Sequence, residues 1–222
     1  MYLSRVSLNP EAGRNPAYWQ AVKPGYGLHQ LIWSLFADRP DRKRDFLYHQ
    51  AKGRIYTVSA RRPKDQAGVW EVETKPYQPR LLPGKRLWFN LRANPVVSKR
   101  DEKGRQTRHD VVMEAKQKVG WKGLSPNQRP ALPDLIQKAG LAWLAARAQA
   151  HGFALEEGRV RADGHRRHRL RKPGAHRSIR ISTLDFQGYL RVVDPDKFNQ
   201  VLFNGLGPAK GFGCGLMLVK GA

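Results

Sequence analysis

A single cysteine, Cys214, occurs in the whole chain, which excludes an internal disulfide framework and suits a reducing compartment. Acids are scarce as well. Asp and Glu number 18 against 41 Lys and Arg, a formal net charge of +23. That is far more than solubility needs; such a field concentrates polyanions, and nucleic acid is the obvious partner. No apolar run approaches the ~20 residues of a membrane span, and Met1 to Arg5 leads into a strand, not a signal peptide. The expectation is a soluble, cytoplasmic protein with no membrane partner. The usual metal and phosphate signatures are missing too: there is no HExxH, no P-loop and no acidic cluster for two Mg²⁺ ions. His165 and His168 have a metal-like spacing, but the arginines on either side repel a cation and no thiol or carboxylate pair completes a site. Phosphodiester chemistry is therefore expected to need no metal and no other cofactor.

What is present reads as alternating strands and helices. The 222 residues suit one large domain or two small ones. Met1 to Leu8 alternates as a first strand; residues 9–25 are rich in Pro and Gly and read as a loop with one short turn. Leu28, Leu31, Ile32, Leu35 and Phe36 form one stripe at helical period. Strands follow at Asp45–His49, Gly53–Arg61, Val69–Thr74 and Arg86–Ala93, with Pro76, Pro79 and Pro83 arguing against a second helix in this half. Ser98 to Arg108 is polar and reads as a basic linker, which sets the expected domains at 1–97 and 110–222 with 98–109 between them. Beyond it come a helix from Pro133 to Ala150, strands from Phe153, a helix from Asp194 to Phe203 and a closing strand at Leu216–Val219. Counting a first strand from near Arg86 or Val111, the second half runs strand, helix, strand, strand, helix, strand. This is the ferredoxin-like order, and the fold class is α+β.

Three features carry chemistry. Arg159 to Arg180 holds nine basic residues and one acid, Asp163; Arg161, Arg166, Arg167, Arg169, Arg171 and Lys172 are candidate RNA contacts. A solvated basic face normally carries interspersed acids, and the planar arginine fork suits phosphate, so nucleic acid is the better reading. Second, Asn204 to Leu216 packs five glycines and a proline into eleven residues. Alone, it reads as a helix cap and a tight turn. Beside a basic cluster it reads as a phosphate cradle in which Gly207 and Gly211 bring backbone N–H groups close and Lys210 adds charge. Third, His29 lies at the edge of the apolar helical stripe, with Tyr26 and Trp33 on the same flank. A lone boundary histidine is more often structural. Yet metal-free RNA cleavage needs only a group to take the 2′-OH proton, one to protonate the leaving oxygen, and nearby positive charge. A Tyr/His pair with Lys or Arg would supply them, histidine because it titrates near working pH.

The motifs together resemble a known family. Met1-Tyr2-Leu3-Ser4-Arg5-Val6, Tyr26-Gly27-Leu28-His29-Gln30 with Trp33, Arg39-Pro40-Asp41 with Arg44-Asp45-Phe46-Leu47-Tyr48-His49, Leu91-Arg92-Ala93-Asn94-Pro95, and Gly205 to Lys210 with Gly213 to Leu216 are similar to the CasE family. That family comprises the CRISPR RNA-processing endoribonucleases of the type I-E Cascade complex. The resemblance implies two tandem ferredoxin-like (RRM-like) domains with a C-terminal glycine-rich loop near the RNA. It implies cleavage at the base of the CRISPR repeat hairpin to give a 2′,3′-cyclic phosphate and a 5′-OH, with mature crRNA and other Cascade subunits as partners. It also places the family's Tyr-x-x-His on Tyr26 and His29 as the catalytic pair. A non-catalytic RNA-binding or scaffold subunit is the alternative, and a scaffold has no need of that pair.

Overall fold

The computed structural model describes residues 1–22, 26–39, 41–51, 53–100, 102, 104–171 and 178–222; for residues 20–22, 26 and 171 it describes the backbone alone. The chain runs β1 (Tyr2–Leu8), a 3-10 turn (Pro10–Arg14), α1 (Pro16–Val22), α2 (Tyr26–Ser34), β2 (Phe46–Ala51), β3 (Arg54–Ser59) and β4 (Trp70–Pro76). It continues through β5 (Arg86–Ala93), β6 (Val96–Arg100), β7 (Gln106–Asp110), α3 (Val111–Lys118), α4 (Leu132–Ala148), β8 (Phe153–Arg171), β9 (Ser178–Val192), α5 (Pro195–Asn204) and β10 (Met217–Gly221).

Two antiparallel four-stranded sheets result, in the orders β2-β3-β1-β4 and β10-β5-β9-β8. Numbered within each unit, both are 4-1-3-2 read from one edge, the ferredoxin-like arrangement, twice in tandem. The first unit is trimmed as its prolines suggest: no helix lies between β3 and β4 among the described residues. Residues 9–25 are expected as a loop with one short turn; among the described ones, 9–22, that turn is the helix α1 and a 3-10 turn precedes it, with Asn9 capping the latter by accepting from the Glu11 N–H at 2.9 Å. Local polar capping outweighed the Pro and Gly content there.

The domain boundary also differs from the sequence expectation. β5 pairs with β9 and β10, so residues 86–97 belong to the second unit. The stretch read as a linker, 98–109, supplies most of a hairpin, with β6 and β7 in register from Val96↔Asp110 to Arg100↔Gln106. Polar strands with no buried face leave no hydrophobic alternation in the sequence, which is why they look like linker. Sheet membership puts the division between Pro76 and Arg86. The basic stretch beyond Arg159 is a hairpin of two long strands, β8 and β9.

One face of the first sheet packs against α2: Val6, Phe46, Tyr48 and Ile55 meet Leu31, Ile32, Leu35 and Phe36. Its other face carries Leu3, Leu47 and Val58 against Leu216, Leu218 and Phe203 of the second unit. His49 sits in this seam at 2 % exposure. Burial first, and then the Arg92 guanidinium, push its imidazole down to about 4. In the second unit α4 lies so close to the sheet that Gly140 is required. A Cβ there would stand 2.7 Å from both Ala162 Cβ and Leu184 Cδ2.

Two stability measurements check this packing. Gly140→Ala gains helix propensity of about 1 kcal/mol, yet overpacking two buried side chains costs about 1–3 kcal/mol, so denaturant titration should show a net loss. For His49, the unfolded chain binds the proton more tightly than the folded one between about pH 6.5 and 4. Stability is therefore fully present above pH 6.5 and falls as the pH drops, by at most about 1.4 kcal/mol per unit. His49→Gln should flatten the acid slope of ΔG relative to wild type; an unchanged slope would show that His49 is not the titrating group.

Candidate active site and nucleic-acid groove

His29 is held from three sides. α2 carries it at the border of the apolar stripe, partly buried. Trp33, one turn on, lies 6.3 Å away ring to ring. From the far end of the chain Phe212 covers it at a ring distance of 5.0 Å. The glycine-rich stretch therefore folds back onto the first unit, with Lys210–Phe212 forming a 3-10 turn against the helix and β2. Its seat is Tyr48, whose hydroxyl donates to the Gly211 carbonyl at 3.3 Å. Gly213 permits the approach: its φ is +76°, and a Cβ there would stand 2.9 Å from Tyr48 Cε2. At Gly211 a Cβ would lie 3.4 Å from Arg44 Nη1 and 3.5 Å from His29 Cε1, so the loop backbone, the guanidinium and the imidazole are mutual neighbours.

Nothing local in the sequence gives Arg44 a role; the fold brings it to the site. Asp45 beside it is taken by Arg61 at 2.7 Å, and Arg61 also holds Asp38 at 2.9 Å and the Phe36 carbonyl at 2.7 Å. That network fixes the connection from α2 to β2 and uses two of the carboxylates near Arg44 in sequence, Asp38 and Asp45. Lys210 approaches Arg44 from the loop; burial first, and then Arg44, lower the pKa of its ammonium. Burial likewise lowers that of Arg44. Among the described residues neither cation has a carboxylate partner. Two like charges, each partly desolvated, repel one another until an anion arrives. The pair is therefore built to receive one. His29 feels the same environment: burial first, and then Arg44, lower its pKa, while a hydrogen bond with the Gly211 backbone opposes them. The balance favours the neutral imidazole. The side chain of Tyr26, the expected partner of His29, lies outside the described residues.

From Phe212 an open groove of about 770 Å³ leads along Pro208 and Ala209 to the β8–β9 hairpin. Arg167, Arg169, Arg180 and Arg108 line it. Arg169 and Arg180 are directly opposed across the strands, a like-charge pair that is destabilising on its own and again calls for an anion. Of the other expected contacts, Arg166 is exposed on the hairpin and Arg161 is paired with Asp163 at 2.5 Å, and neither is among the groove-lining residues. The Arg171 side chain and all of Lys172 lie outside the described residues. Gly207 does not face the groove; it carries the loop past the Trp143 ring, 3.3 Å from where its Cβ would be. His165 and His168 serve different partners, Asp110 and Thr183, each at 2.9 Å. Asp110 also accepts from the Val112 and Met113 N–H groups, which joins the hairpin to the N-terminus of α3. Burial raises its pKa, but the hydrogen bonds from His165, Ser182 and the helix prevail and hold the carboxyl at about 2.

Comparison with known proteins gives a consistent picture. The family described as CRISPR associated protein matches residues 1–220. The chain is 30% identical over 230 residues to the CRISPR system Cascade subunit CasE of Escherichia coli (strain K12), covering 98% of each. Among solved structures it matches CRISPR endoribonuclease Cse3 bound to a 19 nt RNA, with a TM-score of 0.70 and 25% identity over 99% of this chain and 100% of the other. It also matches Thermus thermophilus Cse3 bound to an RNA representing a pre-cleavage complex, at a TM-score of 0.69 and 26% identity over 99% and 98% of the two chains. With a family match over nearly its whole length and an E. coli relative at full coverage, this chain belongs to the CRISPR-associated protein family that includes the Cascade subunit CasE.

Proposed function

We propose that the protein is the endoribonuclease that cuts CRISPR repeat RNA at the base of its hairpin and works among the other subunits of a Cascade complex. The observation that carries this reading is the partly buried pair Arg44 and Lys210 beside His29, unpaired by any described carboxylate, with an arginine-lined groove beginning at Phe212, the ring that covers His29. A solely RNA-binding scaffold has no use for a neutral imidazole next to such a pair. Cytoplasmic location is part of the same proposal, supported by the lone buried cysteine and by the absence of any helix long and apolar enough to cross a membrane among the described residues.

In the proposed reaction the 2′-oxygen attacks the adjacent phosphorus and the bond to the 5′-oxygen breaks, giving a 2′,3′-cyclic phosphate and a 5′-OH. His29 rests neutral, so it first acts as the base that takes the 2′-OH proton; Tyr26 on the same helix is its partner in returning a proton to the leaving oxygen. Arg44 and Lys210 stabilise the extra negative charge on the phosphorane, where donors already fixed in place need no reorganisation. Arg167, Arg169 and Arg180 hold the RNA backbone along the groove.

Three outcomes are expected. His29→Ala should lower the single-turnover rate by about 10²–10⁴ with little loss of affinity, and Arg44→Ala should lower it by about 10²; equal losses in rate and affinity would make either residue a simple RNA contact. Cleavage should persist in EDTA and stop when the 2′-OH at the cut is replaced by 2′-H, binding being retained. Rescue by Mg²⁺ of a chelated, inactive enzyme would overturn the mechanism. Finally, on the acid side of neutrality kcat/KM should fall as the pH drops below about 6.5, because the base must be unprotonated; a fall with rising pH through the same range would make His29 the acid instead.

A further inference from the structure

A second cleft lies beyond the groove. It holds about 790 Å³ between the end of β7, one side of α3 and the turn that follows, and it shares Asp110 and Met113 with the groove that starts at Phe212. Trp121 is the aromatic side chain of its wall besides His109. The turn presenting this ring is held firmly: the Trp121 N–H donates to the Lys116 carbonyl at 3.0 Å, and Gly123 closes on Gly120 at 2.8 Å. Arg129 Nε donates to the Trp121 and Leu124 carbonyls, both at 3.1 Å, with its guanidinium 5.6 Å from the ring centre. The Lys116 ammonium lies over the same ring at 4.9 Å.

Among the described residues, the charge around the cleft left without an opposite partner is positive. Its two acids are already engaged: Glu114 by Lys99 at 2.7 Å and Lys118 at 3.4 Å, Asp110 by His165. Lys116 and Lys122 line it with no described carboxylate partner, and Met113, 37% exposed, gives it an apolar, adaptable wall. An aromatic face ringed by cations, next to a backbone-binding groove, is the arrangement that takes unpaired nucleotides: the base stacks and the lysines meet its phosphate. An apolar protein segment would leave those lysines facing no charge. We propose that the cleft beside Trp121 binds an unpaired base of the RNA whose stem occupies the arginine-lined groove. The inference rests on the RNA-cutting function above. Lys116 gives up the ring to the base and moves to its phosphate, so that affinity comes from strand outside the hairpin.

The test compares two RNAs: a repeat hairpin with its single-stranded flanks, and the same hairpin trimmed to the stem and the nucleotides at the cut. Trp121→Ala should weaken binding of the flanked RNA by roughly 5- to 100-fold. Binding and cleavage of the trimmed RNA should be unchanged, which also shows that the variant folds. Trp121→Phe should keep most of the affinity. A 2-aminopurine walked through the flanks should be quenched at one position in the wild type and not in Trp121→Ala. Equal losses on both RNAs, or none on either, would overturn the proposal. So would a variant that binds both RNAs normally but no longer joins Cascade, which would give the cleft to a protein. A wild-type protein unable to bind even the trimmed hairpin would instead sink the proposed function itself.

Discussion

The seating of one loop on a tyrosine organises this molecule. The stretch from Gly205 to Gly215 leaves the second unit and lies against Tyr48 of the first, and through that contact Gly211 comes beside both His29 and Arg44. The approach is possible because the positions in contact lack side chains; a Cβ at Gly213 would already overlap the Tyr48 ring. Neither unit alone contains the site. The histidine and the arginine come from the first, and the lysine, the covering phenylalanine and the backbone wall come from the second.

Electrostatics then separates two kinds of arginine. Arg92 is neutralised by Asp185 through two hydrogen bonds of 2.6 and 2.8 Å, and Arg61 by Asp38 and Asp45. These pairs hold the strands and the connection between α2 and β2 in place. Arg44, Arg167, Arg169 and Arg180 have no carboxylate partner among the described residues, and they lie beside His29 or along the groove that begins at Phe212. With 41 basic residues and 18 acids the chain cannot pair every cation. Where the few acids are placed therefore decides which arginines remain available to RNA. The architecture uses acids to fix geometry, and those at the binding surface, Asp110 and Glu114, are already engaged by His165, Lys99 and Lys118.

Much of this was legible in the sequence where the pattern was strong. The apolar stripe from Leu28 to Phe36 identified α2 and put His29 at its edge, because a 3.6-residue period makes burial a matter of angle. The Asp194-Pro195 pair announced α5, and Asp194 indeed accepts from the Lys197 N–H. Residues 98–109 misled because both strands of the β6–β7 hairpin are polar; nothing in their composition distinguishes a solvated hairpin from a linker. α1 was hidden by the prolines and glycines around it.

The sequence by itself determined the charge, and so the partner class; it determined the periodicity of the core elements, and it placed a histidine on a helix border and glycines in a late loop. Only the tertiary structure decided that the loop closes over that histidine, 182 residues away from Gly211 along the chain (211 − 29). It also decided that Arg44 rather than a helix residue joins Lys210, and that Arg161 is spent on Asp163. The reason is physical. Composition and period are local properties written residue by residue, whereas an anion site needs charges held close against their mutual repulsion, and only the packing of the rest of the chain supplies that force.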